Sequence, residues 1–346
     1  MDLMSFQEVI TSLQKKKRPT SLLMGNGFSM AYDHKIFSYN ALYDFLISKE
    51  DVLINKLFDA IKTKNFELVM QQLDTTLALL EAFDSDPSLQ EKIKIASQKL
   101  KNGLLNSIHE LHPDHVYKIP EEQCISCAKF LNLFLSSGGQ VFTTNYDLLL
   151  YWVLMRQGVQ NPIDGFGQEI ENPIEYTKGE DAILSDLIWG PNASKQNIHY
   201  LHGALHIFDN GADIIKEQYD QSGYLLENIK HRLNNGSYPI FVTAGSGDDK
   251  LNHIRHNRYL SFCLDRLSQI DGSLVTFGFN FGPYDEHIIE TLNRATHYQS
   301  KSTPKLWSIY IGVYSDNDAK HIESIQTKFH AKVKMFDAKS ADVWGS

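Results

Sequence analysis

From about residue 140 to residue 336, short apolar runs alternate with amphipathic stretches, and this alternation narrows the fold more than any other feature. The apolar runs are Gln140-Val141-Phe142-Thr143, Ile198 to Leu201, Ala204 to Phe208, Pro239 to Val242, Ser273 to Phe277, Leu306 to Val313 and Lys332 to Phe336. Runs this short, rich in Val, Ile, Leu and Phe and bounded by turn residues, read as strands buried on both faces. Between them the spacing predicts helices over Asp147 to Arg156, Asp213 to Leu233, Asp248 to Ile270, Tyr284 to Ala295 and Asp316 to Phe329. Strands and helices alternating in this way build an α/β fold: a Rossmann-like, doubly wound, mostly parallel sheet. Gln160 to Pro191, rich in Gly, Pro and Asn, reads as an irregular surface segment.

The first strand comes much earlier, at Ser21 to Met24, after an amphipathic helix over Ser5 to Lys16 with Phe6, Val9, Ile10 and Leu13 on one face. Roughly a hundred residues then follow without strand character. Leu42, Phe45, Leu46, Leu53, Leu57, Phe58, Ile61, Leu68, Leu73, Leu77, Leu79 and Leu80 recur at helical spacing, and helices are expected over Leu89 to Leu111 and Glu121 to Leu135. That is too long for one β-α-β crossover. The division it implies is 1–38 as the start of the α/β domain, 39–135 as a large α-helical insertion, and 136–346 as the remainder.

A net charge of −9 over 346 residues argues against a general nucleic-acid binder. Lys15-Lys16-Lys17-Arg18 either touches an acidic partner or is the solvated end of the first helix. The three cysteines are too few for a disulfide framework and fit a reduced, cytoplasmic setting. Cys124 and Cys127 form a single C-x-x-C pair; it either shares a helical face or joins His112 and His115 in a metal set, and no metal is expected. No apolar stretch is long enough to span a membrane, and the first ten residues lack the pattern of a secretory leader.

Ligands of doubly wound sheets bind beyond the carboxyl ends of the strands, so the residues there carry the functional reading. After Met24 stands Gly25-Asn26-Gly27-Phe28-Ser29, a glycine turn into a helix start, suited to phosphate. It lacks the third glycine of the dinucleotide fingerprint, because position 30 is Met. After Thr143 stands Thr144-Asn145-Tyr146-Asp147; after Leu201, His202-Gly203; after Val242, Thr243-Ala244-Gly245-Ser246-Gly247; after Phe277, Gly278-Phe279-Asn280-Phe281-Gly282 and then Asp285. Each admits a simpler role. Asn145, Asp147, Asn280 and Asp285 can cap turns or helices, and His202 can be a corner histidine with a satisfied hydrogen bond.

Taken together these elements resemble the Sir2 (sirtuin) superfamily. Gly25-Asn26-Gly27-Phe28-Ser29 resembles its G-A-G-x-S turn, Thr143-Thr144-Asn145-Tyr146-Asp147 its T-T-N-Y-D element, Leu201-His202-Gly203 its H-G element, and Phe277 to Phe281 with Asp285 its late glycine segment. Phe241 to Leu251, with Ile254, Tyr259 and Leu260, further resembles the bacterial Sir2-like family DUF4917. Only Cys263 follows His202, so the four-cysteine zinc ribbon of sirtuin deacylases is absent from the sequence and protein deacylation is not expected.

The resemblance implies an NAD+ hydrolase that releases nicotinamide and ADP-ribose, with NAD as substrate. It implies Asn145, His202 and Asp147 as catalytic residues, and Gly25, Asn26, Gly27, Phe28, Ser29, Thr144, Gly278, Asn280 and Asp285 around the dinucleotide. It also implies a regulated effector of antiphage defence, working as a homo-oligomer or with a partner protein. A module that binds NAD or ADP-ribose without turnover is a second class to weigh, and an ADP-ribosyl transferase or residual deacylase, for which the sequence shows no evident peptide site, is a third.

Overall fold

The computed structural model describes residues 3–34, 39–49, 51–62, 66–84, 86–113, 115–156, 158–168, 186–218, 224–234, 237, 239–242, 247–296 and 306–345. The chain enters through a two-residue strand β1 (Met4–Ser5) and helix α1 (Phe6–Lys16). Ser5 and Glu8 close a reciprocal capping box at the start of α1, and Phe6, Val9, Ile10 and Leu13 are all buried, as their spacing predicts. Strand β2 (Thr20–Met24) turns directly into the short helix α2 (Asn26–Tyr32).

A helical block follows: α3 (Tyr39–Ser48), α4 (Val52–Ile61), α5 (Phe66–Ala82), α6 (Pro87–Leu111) and α7 (Glu121–Leu135). Leu46, Phe58 and Leu73 of the predicted stripe are buried, whereas Leu53 and Leu79 face solvent. Phe45 and Leu68 have side chains outside the described set, as does Leu42. Cys124 and Cys127 lie buried on α7.

The chain then runs through β3 (Val141–Thr143), α8 (Leu149–Met155), β4 (Phe166–Gly167), β5 (Leu187–Trp189), β6 (Ile198–Tyr200), β7 (Gly203–Asp209) and β8 (Ile214–Lys216). It continues through α9 (Leu225–Asn234), β9 (Pro239–Phe241), α10 (Gly247–His256), α11 (Arg258–Leu267), β10 (Gly272–Phe277) and α12 (Glu286–Thr296). It closes with β11 (Leu306–Val313), α13 (Asp316–Ile325) and β12 (Lys332–Asp337).

Seven strands form one parallel sheet in the order β1-β12-β11-β10-β2-β3-β6. Counted from β2 outward, its six inner positions read third, second, first, fourth, fifth, sixth, the Rossmann order, with β1 added at the edge. Every residue of β2 and of β10 is buried, so both faces of the sheet are covered. The winding reverses between β2 and β10, and the crevice at that reversal is where such folds take ligands.

The second sheet departs from the sequence expectation. β4-β5-β8-β7-β9 form a separate antiparallel sheet. The apolar runs at 204–208 and 239–242 therefore leave the parallel sheet. Alternation alone could not reveal this, because a buried antiparallel strand reads like a parallel one. The segment expected to be wholly irregular contributes β4 and β5, and residues 169–185 lie outside the described set. The helix expected over Asp213 to Leu233 is a strand followed by a helix. The helix expected over Asp248 to Ile270 is broken at Asn257, whose side chain accepts the N–H groups of Tyr259 and Leu260 and so starts α11.

Candidate active site

Four of the five predicted strand ends meet on one edge of the parallel sheet, those of β2, β3, β6 and β10. The fifth belongs to β9 in the second sheet, and Thr243, Ala244, Gly245 and Ser246 lie outside the described residues.

At the crevice, the loops after β2 and β10 are pressed together. Gly25 N–H donates to the Phe277 carbonyl (3.1 Å) and Gly27 N–H to the Gly278 carbonyl (2.9 Å). A Cβ on Gly27 would sit 2.5 Å from the Gly278 Cα, and Gly278 itself has φ +65°. These glycines are thus required first by each other. Phe28 N–H is also engaged, on the Gly25 carbonyl (2.9 Å). Asn26 is half-buried and Phe28 is buried; Trp344 donates its indole N–H to the Phe28 carbonyl (2.9 Å) and packs its ring on Phe28 and Tyr32.

Ser29, fully buried in α2, joins β2 to β3. Its hydroxyl donates to Asp147 Oδ2 (2.5 Å), and its oxygen accepts from Asn145 Nδ2 (2.8 Å). The directions follow from chemistry: a carboxylate only accepts, so the Ser29 proton goes to Asp147 and its lone pair remains for the Asn145 amide. Asp147 Oδ1 accepts the Leu149 N–H (2.9 Å), so this residue both engages the first N–H of α8 and holds Ser29. Burial pushes the Asp147 carboxyl above its usual range, opposed by the Ser29 hydroxyl and the Leu149 N–H.

The backbone of this turn is held on three sides. Asn145 N–H donates to Thr143 Oγ1 (3.0 Å) and Thr144 N–H to the Met24 carbonyl (3.0 Å). Leu148 N–H donates to His112 Nε2 (2.8 Å), and His112 Nδ1 faces the Pro113 carbonyl (3.0 Å). An accepting Nε2 leaves the proton on Nδ1, so His112 is a neutral imidazole tying the connection between α6 and α7 to the turn that carries Asn145 and Asp147.

His202 follows β6 at 3% exposure. Its neighbours are bonded to either side of the Asn145 turn, Leu201 N–H to the Thr143 carbonyl (2.8 Å) and Leu205 N–H to the Tyr146 carbonyl (2.9 Å). Its ring does not join the Asn145 set: among the described residues no hydrogen bond links the two. It meets His287 of α12 instead, edge to edge, Nε2 to Nε2 at 3.0 Å, with ring centroids 5.3 Å apart and the planes inclined by 27°. Lys250 of α10, also buried, lies 3.5 Å from Asp285 Oδ1. Burial, the partner ring and Lys250 hold His202 well below the ordinary histidine range; burial and Lys250 bring His287 to about 3. Asp285 is partly buried, accepts the Gly282 N–H (3.1 Å) and is pushed upward by burial against the pull of Lys250. Asn280 is exposed.

Sequence reading missed His287 and the role of Lys250. Both occupy the buried stripe of an amphipathic helix, His287 with Ile288, Thr291 and Leu292, and Lys250 with Leu251 and Ile254. A titratable residue on such a stripe, just beyond a strand-end loop, is the signal that was there to be read.

The fold and this edge define a Rossmann-like α/β chain with two buried polar groups beside its switch point. The chain belongs to the family described as Domain of unknown function (DUF4917), whose model matches residues 22–344. No curated protein matches it. No helix among the described residues is long and apolar enough to cross a membrane.

Proposed function

We propose that the chain is an NAD+ hydrolase of Sir2-like type, producing nicotinamide and ADP-ribose. The observation that carries this reading is the pairing, on adjacent strand ends, of an amide fixed by Ser29 and Asp147 with a histidine held neutral at His202. The dinucleotide lies along the strand ends. Its diphosphate is near the Gly25–Ser29 turn, its adenosine half is toward Gly278, Asn280 and Asp285, and its nicotinamide ribose faces Thr144, Asn145 and His202.

Breaking the glycosidic bond sends its electron pair to the nicotinamide nitrogen and leaves positive charge on the sugar. Water then attacks the anomeric carbon and loses a proton. Asn145 orients the water or the ribose hydroxyls, and the neutral imidazole of His202 accepts the proton. Asp147 keeps Ser29, and through it Asn145, in one rotamer.

The chain in this reading is a regulated, cytoplasmic effector of antiphage defence. It acts as a homo-oligomer or with a partner protein, and the His112–Leu148 bond gives the helical block a grip on the catalytic turn. The deep burial of Asn145, Asp147 and His202 favours keeping one other reading, a module that binds NAD or ADP-ribose without turnover.

Nicotinamide release from NAD+, measured across assembly states and added partners, tests the proposal. His202→Ala and Asn145→Ala are each expected to lose about 10²-fold or more. Full activity in both variants rejects the site, and binding without turnover under every condition favours the sensor.

A further inference from the structure

We infer that His287 is a positioning residue that fixes the tautomer of His202, so that Nδ1 of His202 is the proton-accepting nitrogen. The inference rests on the hydrolase reading for the choice of tautomer; the contact between the two rings does not depend on it. Two imidazoles that meet Nε2 to Nε2 at 3.0 Å cannot be alike. One must carry the proton on Nε2 and the other must present a bare Nε2. Both rings are buried, His202 at 3% and His287 at 2% exposure, so water does not readily average the two arrangements.

The hydrolase reading chooses between them. His287 Nδ1 is buried without a hydrogen bond and favours neither arrangement. With His202 Nε2 turned to His287, Nδ1 is the one nitrogen of His202 left to take a proton from water or a ribose hydroxyl, and it must be bare to do so. His287 therefore carries Nδ1–H and a bare Nε2, and His202 donates its Nε2–H to it. The remaining nitrogen of His202, Nδ1, is left without a proton and is the base.

Burial and Lys250 oppose the charge that develops on His202, and the pair offsets part of that cost. Lys250 and burial keep both rings neutral at rest. When water or a ribose hydroxyl gives its proton to His202 Nδ1, His202 becomes a cation. Its Nε2–H bond to the neutral His287 then becomes charge-assisted and stronger. A proton moves and no electrons are exchanged with any other group.

Two measurements test this together. In protein labelled with 15N histidine, the ring nitrogen spectrum, assigned with His202→Ala and His287→Ala, is expected to show His202 Nδ1 bare and Nε2 protonated, with the reverse in His287. Nicotinamide release is expected to fall about 10²-fold in kcat, at unchanged KM, in His287→Leu. His287→Gln, whose carbonyl can still accept the His202 Nε2–H, is expected to keep most of the activity. A protonated Nδ1 on His202 overturns the inference, as does an equal loss in the Leu and Gln variants. If the wild-type protein releases no nicotinamide under any condition, the hydrolase reading fails, and the nitrogen spectrum still decides the tautomer.

Discussion

The two polar groups at the sheet edge are built differently. In the Asn145 group every partner comes from a strand end or the helix start beside it. Ser29 follows β2, Asn145 and Asp147 follow β3, and a single hydroxyl bridges two neighbouring strands. In the His202 group the histidine follows a strand, but its partner is on α12, after β10, with β2 and β3 lying between β6 and β10 in the sheet. The first group is a carboxylate-anchored network in which each bond is dictated by which atoms can donate. The second is a neutral pair whose order depends on which ring holds a proton. The first is therefore costly to cut, and the second is sensitive to acid.

Cutting the anchor gives the largest effect expected on stability. Asp147→Leu leaves the Ser29 hydroxyl and the Leu149 N–H without acceptors in a buried place. At about 1–3 kcal/mol for each unsatisfied group, the loss is about 2–6 kcal/mol by denaturant unfolding. His287→Leu removes only one bond between neutral rings, and a loss of about 1–3 kcal/mol is expected. If His287→Leu costs more than Asp147→Leu, the contrast between the groups is wrong.

How much could be read in advance follows the same division. Gly25, Ser29, Asn145, Asp147 and His202 were legible because a strand end is a local event, marked by apolar residues that stop and polar ones that begin. The parallel sheet was legible for the same reason. The bond from Ser29 to Asp147 spans 118 positions and the one from His202 to His287 spans 85, and no periodicity reports on either. The separate antiparallel sheet was missed because apolar runs record burial, not direction. The glycine turn was found, but its cause was only half seen: the close approach is between the loops after β2 and β10, which sequence leaves 250 residues apart by order of magnitude.

Acid sharpens the contrast by sign. His202 and His287 have folded pKa values below the unfolded value of about 6.5. Their contribution is whole above that value and is lost as pH falls, for His287 down to about 3. His199 behaves likewise at about 3, and His206 in the same direction. Asp147 has the opposite sign: its raised pKa means the folded state binds the proton first, so its contribution grows as pH falls through that range. Unfolding free energy is expected to drop on acidification below about pH 6.5, by up to about 1.4 kcal/mol per pH unit for each histidine. The double variant His202→Gln with His287→Gln should flatten that slope, and Asp147→Asn should not. An unchanged slope in the double variant would show that His199 and His206 dominate.

The smallest effect concerns the backbone of the Asn145 turn. Thr143→Val keeps the shape of a buried strand residue but removes the acceptor for the Asn145 N–H. Leaving that one N–H of a buried residue without its acceptor costs about 1–3 kcal/mol, one unsatisfied group against the two of Asp147→Leu, and β-branching at Thr143 is preserved. The bond from Asn145 Nδ2 to Ser29 is untouched, so the amide should keep its rotamer even as its backbone loosens. Nicotinamide release by Thr143→Val should therefore fall far less than in Asn145→Ala, with the loss in KM before kcat. A large fall in kcat would mean that the backbone of this turn, and not the Ser29–Asp147 anchor, sets the position of the amide.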